Sequence, residues 1–218
     1  MDNSIDTFCS WSGGKDCCLA LHRFRQKNPD KVIALLTMLK NENNQTYGHF
    51  ITESILKRQA EAMGLKIYFG YSNFDDYEEK WCLEIGKLKE LGIKSAIFGD
   101  IDLDEHYVWI ARVMEKMNLK MEMPLWKEKR LDVINEAVDT GYKIKIISVK
   151  NGKCSPKYLG AMLDKETIQN LLNENIDPSA EGGEFHTLVT DGPYFNKSLT
   201  FKFRGIVNKY NHTYLDLI

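Results

Sequence analysis

The chain has 218 residues, 43% of them hydrophobic, which is enough for a substantial core in one large domain or two small ones. Its 29 basic and 31 acidic residues nearly cancel, removing the electrostatic reason to expect nucleic acid as a partner. No apolar run approaches the ~20 residues that span a bilayer, and "MDNSIDTF" lacks the basic-then-apolar pattern of a signal peptide, so a cytoplasmic protein with no membrane partner is expected. Cys9, Cys17, Cys18, Cys82 and Cys154 are odd in number and form no CxxC pair, which argues against a disulfide framework or a zinc site.

Through the first half, short β-rich runs alternate with amphipathic stretches, the pattern of a parallel sheet covered by helices. "IDTFC" (5–9) reads as a strand, 16–28 as a helix, and "VIALLTML" (32–39) as a strand buried on both faces. Ile51, Ile55, Ala62 and Met63 recur near helical spacing until Gly64, and "LKIYFG" (65–70) follows as the third strand. Tyr77, Trp81, Ile85, Leu88 and Leu91 mark one face of a long helix, and "SAIFGD" (95–100) reads as a strand ending in Gly-Asp. A helix carrying Val113 and Met117 and the strand "LKMEM" (119–123) close the alternation. Beyond Pro124 the texture changes. Val133, Ile134 and Val138 indicate one helix and Ile168, Leu171 and Leu172 another, while "YKIKIISV", "FHTLVTD", "LTFKFRGIV" and "HTYLDL" read as strands. The expected architecture is α/β: a Rossmann-like unit over 1–123 and a smaller α+β unit over 124–218, packed around a cleft.

"CSWSGGKDCC" (9–18) follows the first strand and opens the first helix. A glycine pair there lets successive amides curl around an anion, and the helix N-terminus adds its positive end. Ser10 and Ser12 offer hydroxyls, Lys15 a cation, and Asp16 a helix cap or an approach to a metal. A plain tight turn is the alternative. Adjacent helical residues point about 100° apart, so Cys17 and Cys18 do not both face the loop, which weakens a thiol-nucleophile reading.

Two further segments carry chemistry. "FGDI" (98–101) puts Asp100 just past a parallel strand, at the sheet edge where ligands bind, and Arg112 on the next helix is either a carboxylate or phosphate partner or a surface arginine. "DPSAEGGEFHTLVTDGPYF" (177–195) gathers Asp177, Glu181, Glu184, His186 and Asp191 around glycines, groups suited to holding Mg²⁺, orienting ammonia or binding a cation. A solvated hairpin, with His186 on a sheet face, is the structural alternative.

"SGGKD" resembles the pyrophosphate loop of the ATP pyrophosphatases, AMP-forming ligases that include the argininosuccinate, GMP and asparagine synthetases. Together, "SGGKD", "FGDI", "PLW" (124–126) and "EGGEFHT…DGP" occur in the order and spacing of the diphthine–ammonia ligase family, over nearly the whole chain. The resemblance implies an adenine nucleotide alpha hydrolase-like first domain and a smaller second one. It implies that ATP activates the carboxylate of diphthine, a modified histidine on translation elongation factor 2, and that free ammonia, with no length left for a glutaminase domain, completes the amide. It further implies phosphate binding by Ser10, Ser12, Gly13, Gly14, Lys15, Asp16 and Cys17, with Asp100 near the nucleotide and Asp16 or Asp100 as Mg²⁺ ligands. Lys15, Glu184 and His186 become the catalytic candidates. Arg112, Glu181, Gly182, Gly183, Glu184, His186 and Thr187 become the acceptor-binding ones. The partners implied are ATP, ammonia and either the elongation factor or a small carboxylate, with an oligomer compatible.

Three departures stand out. Cys17 replaces the family's usual serine. "EGGEFHT" replaces "EGGEYET", placing His186 where diphthine ligases have glutamate, a form similar to bacterial relatives proposed for other substrates, cobalamin salvage included. Ser179-Ala180 replaces the usual Cys-Gly. Rival readings are a nucleotide-binding sensor without turnover and a tRNA-modifying relative, the latter disfavoured by balanced charge.

Overall fold

The computed structural model describes residues 5–218. The first half builds a five-stranded parallel sheet from β1 (Thr7–Ser10), β2 (Ile33–Lys40), β3 (Lys66–Ser72), β4 (Ser95–Ile97) and β5 (Lys120–Glu122), in the order β3-β2-β1-β4-β5. Four helices cross between them: α1 (Lys15–Lys27), α2 (Glu53–Ala62), α3 (Tyr77–Glu90) and α4 (Asp104–Lys116). Seven successive residues of β2 are buried, as a strand covered on both faces requires. The strand order reverses direction at β1, so the crevice beyond the ends of β1 and β4 is the switch point where such sheets take ligands.

The second half forms α5 (Arg130–Asp139), β6 (Lys143–Lys150), α6 (Lys165–Asn173), β7 (Phe185–Asp191), β8 (Phe203–Lys209) and β9 (His212–Leu217). Its four strands make an antiparallel sheet in the order β7-β6-β9-β8. The expected α/β fold class is therefore present, with local differences at element ends. β1 begins at Thr7 rather than Ile5, β4 stops at Ile97, and β8 starts at Phe203, four residues after the expected Leu199. Ile51 lies before α2, and Met63 and Met117 sit at the C-caps of α2 and α4 rather than inside them.

Two apolar clusters hold the sheets. On one face of the parallel sheet, Phe8, Leu36, Trp81, Ile85, Ile110 and Val113 pack under α3 and α4. On the other, Leu19, Phe24, Leu56 and Ala60 of α1 and α2 belong to one buried cluster with Val133, Ile144, Val149 and Leu188. The antiparallel sheet thus shares a core with the parallel one, which fixes how the loop after β1 meets β7. At roughly 1.5–3 kcal/mol for each fully buried large apolar side chain, this shared surface outweighs any single polar contact across it. Among the described residues no helix is long and apolar enough to cross a membrane.

Candidate active site

β1 ends at Ser10, and the chain turns through Gly13 at φ +82°, a left-handed conformation that glycine adopts without a Cβ penalty. α1 then starts at Lys15 with Gly14 as its N-cap; no side chain caps it. Asp16 is not the cap: its carboxylate takes the Lys15 ammonium at 2.8 Å instead. The Gly14 N–H donates to Ser12 Oγ (3.3 Å) and the Lys15 N–H to Thr187 Oγ1 (3.1 Å). The next amides of the first turn have no helical carbonyl upstream, so they are the ones free to meet an anion.

The loop is held from two sides. Gln59, fully buried on α2, accepts from the Trp11 indole (2.9 Å) and donates to the carbonyls of Gly13 (3.0 Å) and Val189 (2.8 Å). The Val189 N–H donates to the Gly13 carbonyl as well (3.0 Å). β7 is an edge strand, and its outer backbone groups, which would otherwise template another strand, are taken up by the loop, by Gln59 and by His49. Gly99, just after β4, approaches the first turn of α1 so closely that a Cβ would lie 2.7 Å from the Asp16 carbonyl carbon and the Cys17 nitrogen.

These contacts enclose a cavity of about 670 Å³, within the ~300–1,000 Å³ range of small-molecule sites. Ser10, Ser12, Lys15, Asp16, Cys17 and Asp100 line one side; Glu181, Gly182, Gly183, His186 and Thr187 line the other. The two motifs, about 170 residues apart in sequence, meet across it. Gly13 and Gly14 lie behind this surface. The Gly13 carbonyl is spent on Gln59 and Val189, and Gly14 is covered by His49, whose Cε1 would be 2.5 Å from a Cβ there.

Two further expected residues are not in the lining. Arg112, expected as a carboxylate or phosphate partner or a surface arginine, stands on the exposed face of α4 and pairs with the carboxylate of Glu78, which also accepts from the Trp109 indole. Glu184 lies just before β7, one Oε buried without a partner and the other 2.2 Å from where a Gly182 Cβ would stand. The remaining acids of the second motif divide clearly. Asp177 holds its own turn, accepting from Ser179 and from Arg130, which also grips Asp102 beyond β4. Asp191 accepts from Gly192 N–H and Ser198. Ala180 sits at φ +59°, a conformation that costs an L-residue roughly 1–2 kcal/mol.

The cavity crowds like charge. Burial raises Asp16, Lys15 draws it back down, and Asp100 pushes it up again. Burial likewise raises Glu181 to about 7, with Asp16 and Asp100 adding to the rise and Lys15 and Arg130 opposing it. His106 at the start of α4 bonds to Asp100 (2.9 Å), which raises the imidazole. The imidazoles opposite stay neutral. Burial lowers His49 to about 4 and His186 well below its usual value. His49 donates Nδ1–H to the Thr187 carbonyl (2.8 Å), since a carbonyl only accepts, and its ring lies 4.7 Å from that of His186. Cys17 faces the loop, donating to the Gly14 carbonyl (3.2 Å) and lying 3.4 Å from Ser12 Oγ, while Cys18 is buried in the core. Burial pushes the Cys17 thiol up, but hydrogen bonds from Cys18 and Ser12 more than offset this and leave it below its ordinary value.

Reading the sequence alone misses Tyr47, His49, Gln59, His106 and Arg130. One signal was available: 41–52 follows β2, and every loop after a strand of a parallel sheet opens on the ligand edge.

Comparison with known proteins gives these motifs a context. Residues 6–121 match the diphthamide synthase N-terminal domain model and residues 127–216 the diphthamide synthase C-terminal domain model. Similar proteins include the diphthine–ammonia ligases of Homo sapiens (25% identity, 86% of this chain and 79% of that one) and Danio rerio (25%, 86% and 83%). The Schizosaccharomyces pombe diphthine–ammonia ligase is 24% identical over 90% of this chain but only 36% of its own length. A Methanocaldococcus jannaschii chain titled "predicted subunit of tRNA methyltransferase" aligns over 89% of this chain and all of its own, at 16% identity. Its TM-score of 0.43 is too low to bear on the site. With both domain models matched in order across nearly the whole length, around one cavity lined by both, the chain belongs to the diphthamide synthase family.

Proposed function

We propose that the chain is an ATP-dependent, AMP-forming ligase that adenylates a carboxylate and couples it to ammonia. The observation that carries this reading is the direct bonding of the two motifs. The Lys15 N–H donates to Thr187, and the Val189 N–H to the Gly13 carbonyl, so a loop suited to pyrophosphate and a segment suited to an acceptor share one cavity. Similarity to proteins named diphthine–ammonia ligase supports the amidation. In this reading 1–123 is the nucleotide unit and 124–218 the acceptor unit.

A carboxylate resists attack by ammonia, so the enzyme first needs a leaving group on it, and ATP supplies one as the adenylate. Ser10, Ser12, Lys15, Asp16 and Cys17 hold the phosphates, with Gly13 and Gly14 shaping the backbone behind them. Lys15, buried and set against Asp16, offsets charge on the departing pyrophosphate. Asp100 opposes the ionisation of Asp16, and both oppose that of Glu181, a crowding that a divalent cation relieves. Mg²⁺ keeps waters and phosphate oxygens in its shell, so one or two of these carboxylates would suffice to hold it beside the phosphates. When bound, Mg²⁺ supplies charge neutralisation to the phosphates. Glu181, Gly182, Gly183, His186 and Thr187 border the acceptor. His186, neutral where diphthine-type sequences carry a glutamate, favours an acceptor with less positive charge there, so a small carboxylate stands beside the elongation factor as acceptor.

The test is incubation with ATP, Mg²⁺ and ammonium, with diphthine-bearing elongation factor 2 or a panel of small carboxylates, following AMP and pyrophosphate. AMP release that requires both ammonium and an acceptor is expected. ATP binding without AMP from any acceptor would favour a sensor instead.

A further inference from the structure

Three buried polar atoms on one small patch of the second sheet have no hydrogen-bond partner: Ser148 Oγ, Glu184 Oε2 and His212 Nε2. Cross-strand pairing brings their residues together. Ser148 on β6 lies opposite His186 on β7 and opposite Tyr214 on β9. Lys150, two residues along, lies opposite His212, and its N–H donates to the Glu184 carbonyl (2.8 Å). Directly paired residues and residues two apart share a face of a pleated sheet, so Ser148, His186, Tyr214 and His212 stand together, and Glu184, one residue before β7, joins that row through the Lys150 N–H. The loop after β2 roofs that face. Phe50 stacks on Tyr214 at 4.3 Å and lies 5.4 Å from the His212 ring, and His49 covers His186. The His186 ring, 5.6 Å from that of His212, also lines the main cavity and so stands between the patch and that cavity.

The patch is short of donors. His212 Nδ1 faces the Tyr210 carbonyl at 3.1 Å, so Nδ1 carries the proton and Nε2 presents a lone pair. An ionised Glu184 only accepts, and Ser148 has one proton to share between them. Lys150, the cation nearest in register, leaves Glu184 Oε2 unbonded.

We propose that this patch is the station of the nitrogen donor, an ammonium ion held between Glu184 Oε2, His212 Nε2 and Ser148 Oγ with only His186 between it and the cavity. The proposal rests on the amide-ligase reading and adds a location and three ligands to it. Ammonium brings four donors, no acceptor and a positive charge, which matches two bare acceptors, one of them a carboxylate oxygen, and a hydroxyl; a water brings only two donors and no charge. A metal ion fits less well, since the patch offers it only one carboxylate and one imidazole nitrogen beside a hydroxyl. His186 also suits passage of a cation. Burial and the neighbouring His49 and His212 keep His186 uncharged, so it presents no imidazolium to repel ammonium.

The experiment uses the full chain without ATP or acceptor. Thermal melting in ammonium chloride against sodium chloride at equal ionic strength should show stabilisation by ammonium. Crystals soaked in thallous acetate, whose cation stands in for ammonium, should show anomalous density among Ser148, Glu184 and His212. In Glu184→Gln the midpoint ammonium concentration should rise at least tenfold and the thallium peak should vanish. Ser148→Ala, a smaller change at a fully buried position, should weaken both effects, and Arg112→Ala should alter neither. Absence of thallium from the patch, thallium only elsewhere, or an ammonium effect unchanged in both variants would overturn the proposal and leave the ligase reading standing. Intact ammonium binding in a protein that never releases AMP would sink the ligase reading alone.

Discussion

The two sheets meet the cavity in different ways. The parallel sheet offers strand ends: the turns after β1, β2 and β4 arrive at one edge, and their backbone does much of the shaping, as the Gly13 turn and the close approach of Gly99 to α1 illustrate. The antiparallel sheet offers an edge strand, β7, which lies against the loop and contributes side chains, Thr187 and His186, from its two faces. An anion cradle made of strand ends is local in sequence and tolerant of side-chain change. A site made of an edge strand depends on docking, because its groups acquire a purpose only where another unit meets them.

Gly99→Ala tests the backbone side and should have the largest effect. The new Cβ would sit 2.7 Å from two backbone atoms of the first turn of α1, so that turn must move. A shift approaching 1 Å at a reacting centre costs about 100-fold, and AMP formation should fall by at least that much while the chain still folds. If turnover survives, the phosphates do not depend on that turn.

Gln59→Leu tests the docking. It removes one acceptor and two donated bonds in a fully buried position and leaves the Trp11 indole without its partner. At about 1 kcal/mol for each net bond plus the orphaned donor, a loss of roughly 2–4 kcal/mol in denaturant unfolding is expected. Near-neutral behaviour would mean that the shared apolar core alone docks β7.

Glu181 sharpens the electrostatic contrast between the carboxylates and the imidazoles of the cavity. Its folded value is raised from 4.5 to about 7, so between those limits the folded state binds the extra proton. Its contribution to stability is complete below about 4.5 and is lost as pH rises to about 7. His49 and His186, lowered by burial, act with the opposite sign over the acidic part of that range. The informative measurement is therefore the difference between the unfolding curves of wild type and Glu181→Gln. That difference should change through this window and be flat above it; a difference independent of pH would refute the assignment.

Cys17→Ser should do least. A hydroxyl keeps the bond to the Gly14 carbonyl and the contact with Ser12, so ATP use should be unchanged or slightly better, read as KM for ATP. Loss of turnover would restore the thiol as a reacting group.

Much of this was legible in the sequence because its causes are local. Apolar period marked the parallel strands and their helices, and the Gly-Gly turn between a strand and a helix marked the loop. Side chains whose role depends on long-range pairing were not legible. Arg112 reads equally as a phosphate partner, a carboxylate partner or a surface arginine until α3 supplies the carboxylate of Glu78. Gln59 reads as one polar residue on a helix until the loop and β7 close around it. Glu184 reads as a cavity residue, yet it is absent from the lining and one of its oxygens is buried without a partner.

The sequence by itself determined the element order, the two sheets and the segments that carry chemistry, because hydrophobic period and glycine-dependent turns act over a few residues. Only the tertiary structure decided which acids face the cavity, which hold turns, and which imidazoles stay neutral. Those outcomes follow from desolvation and from partners far away in the chain, such as the 172 residues that separate Lys15 from Thr187.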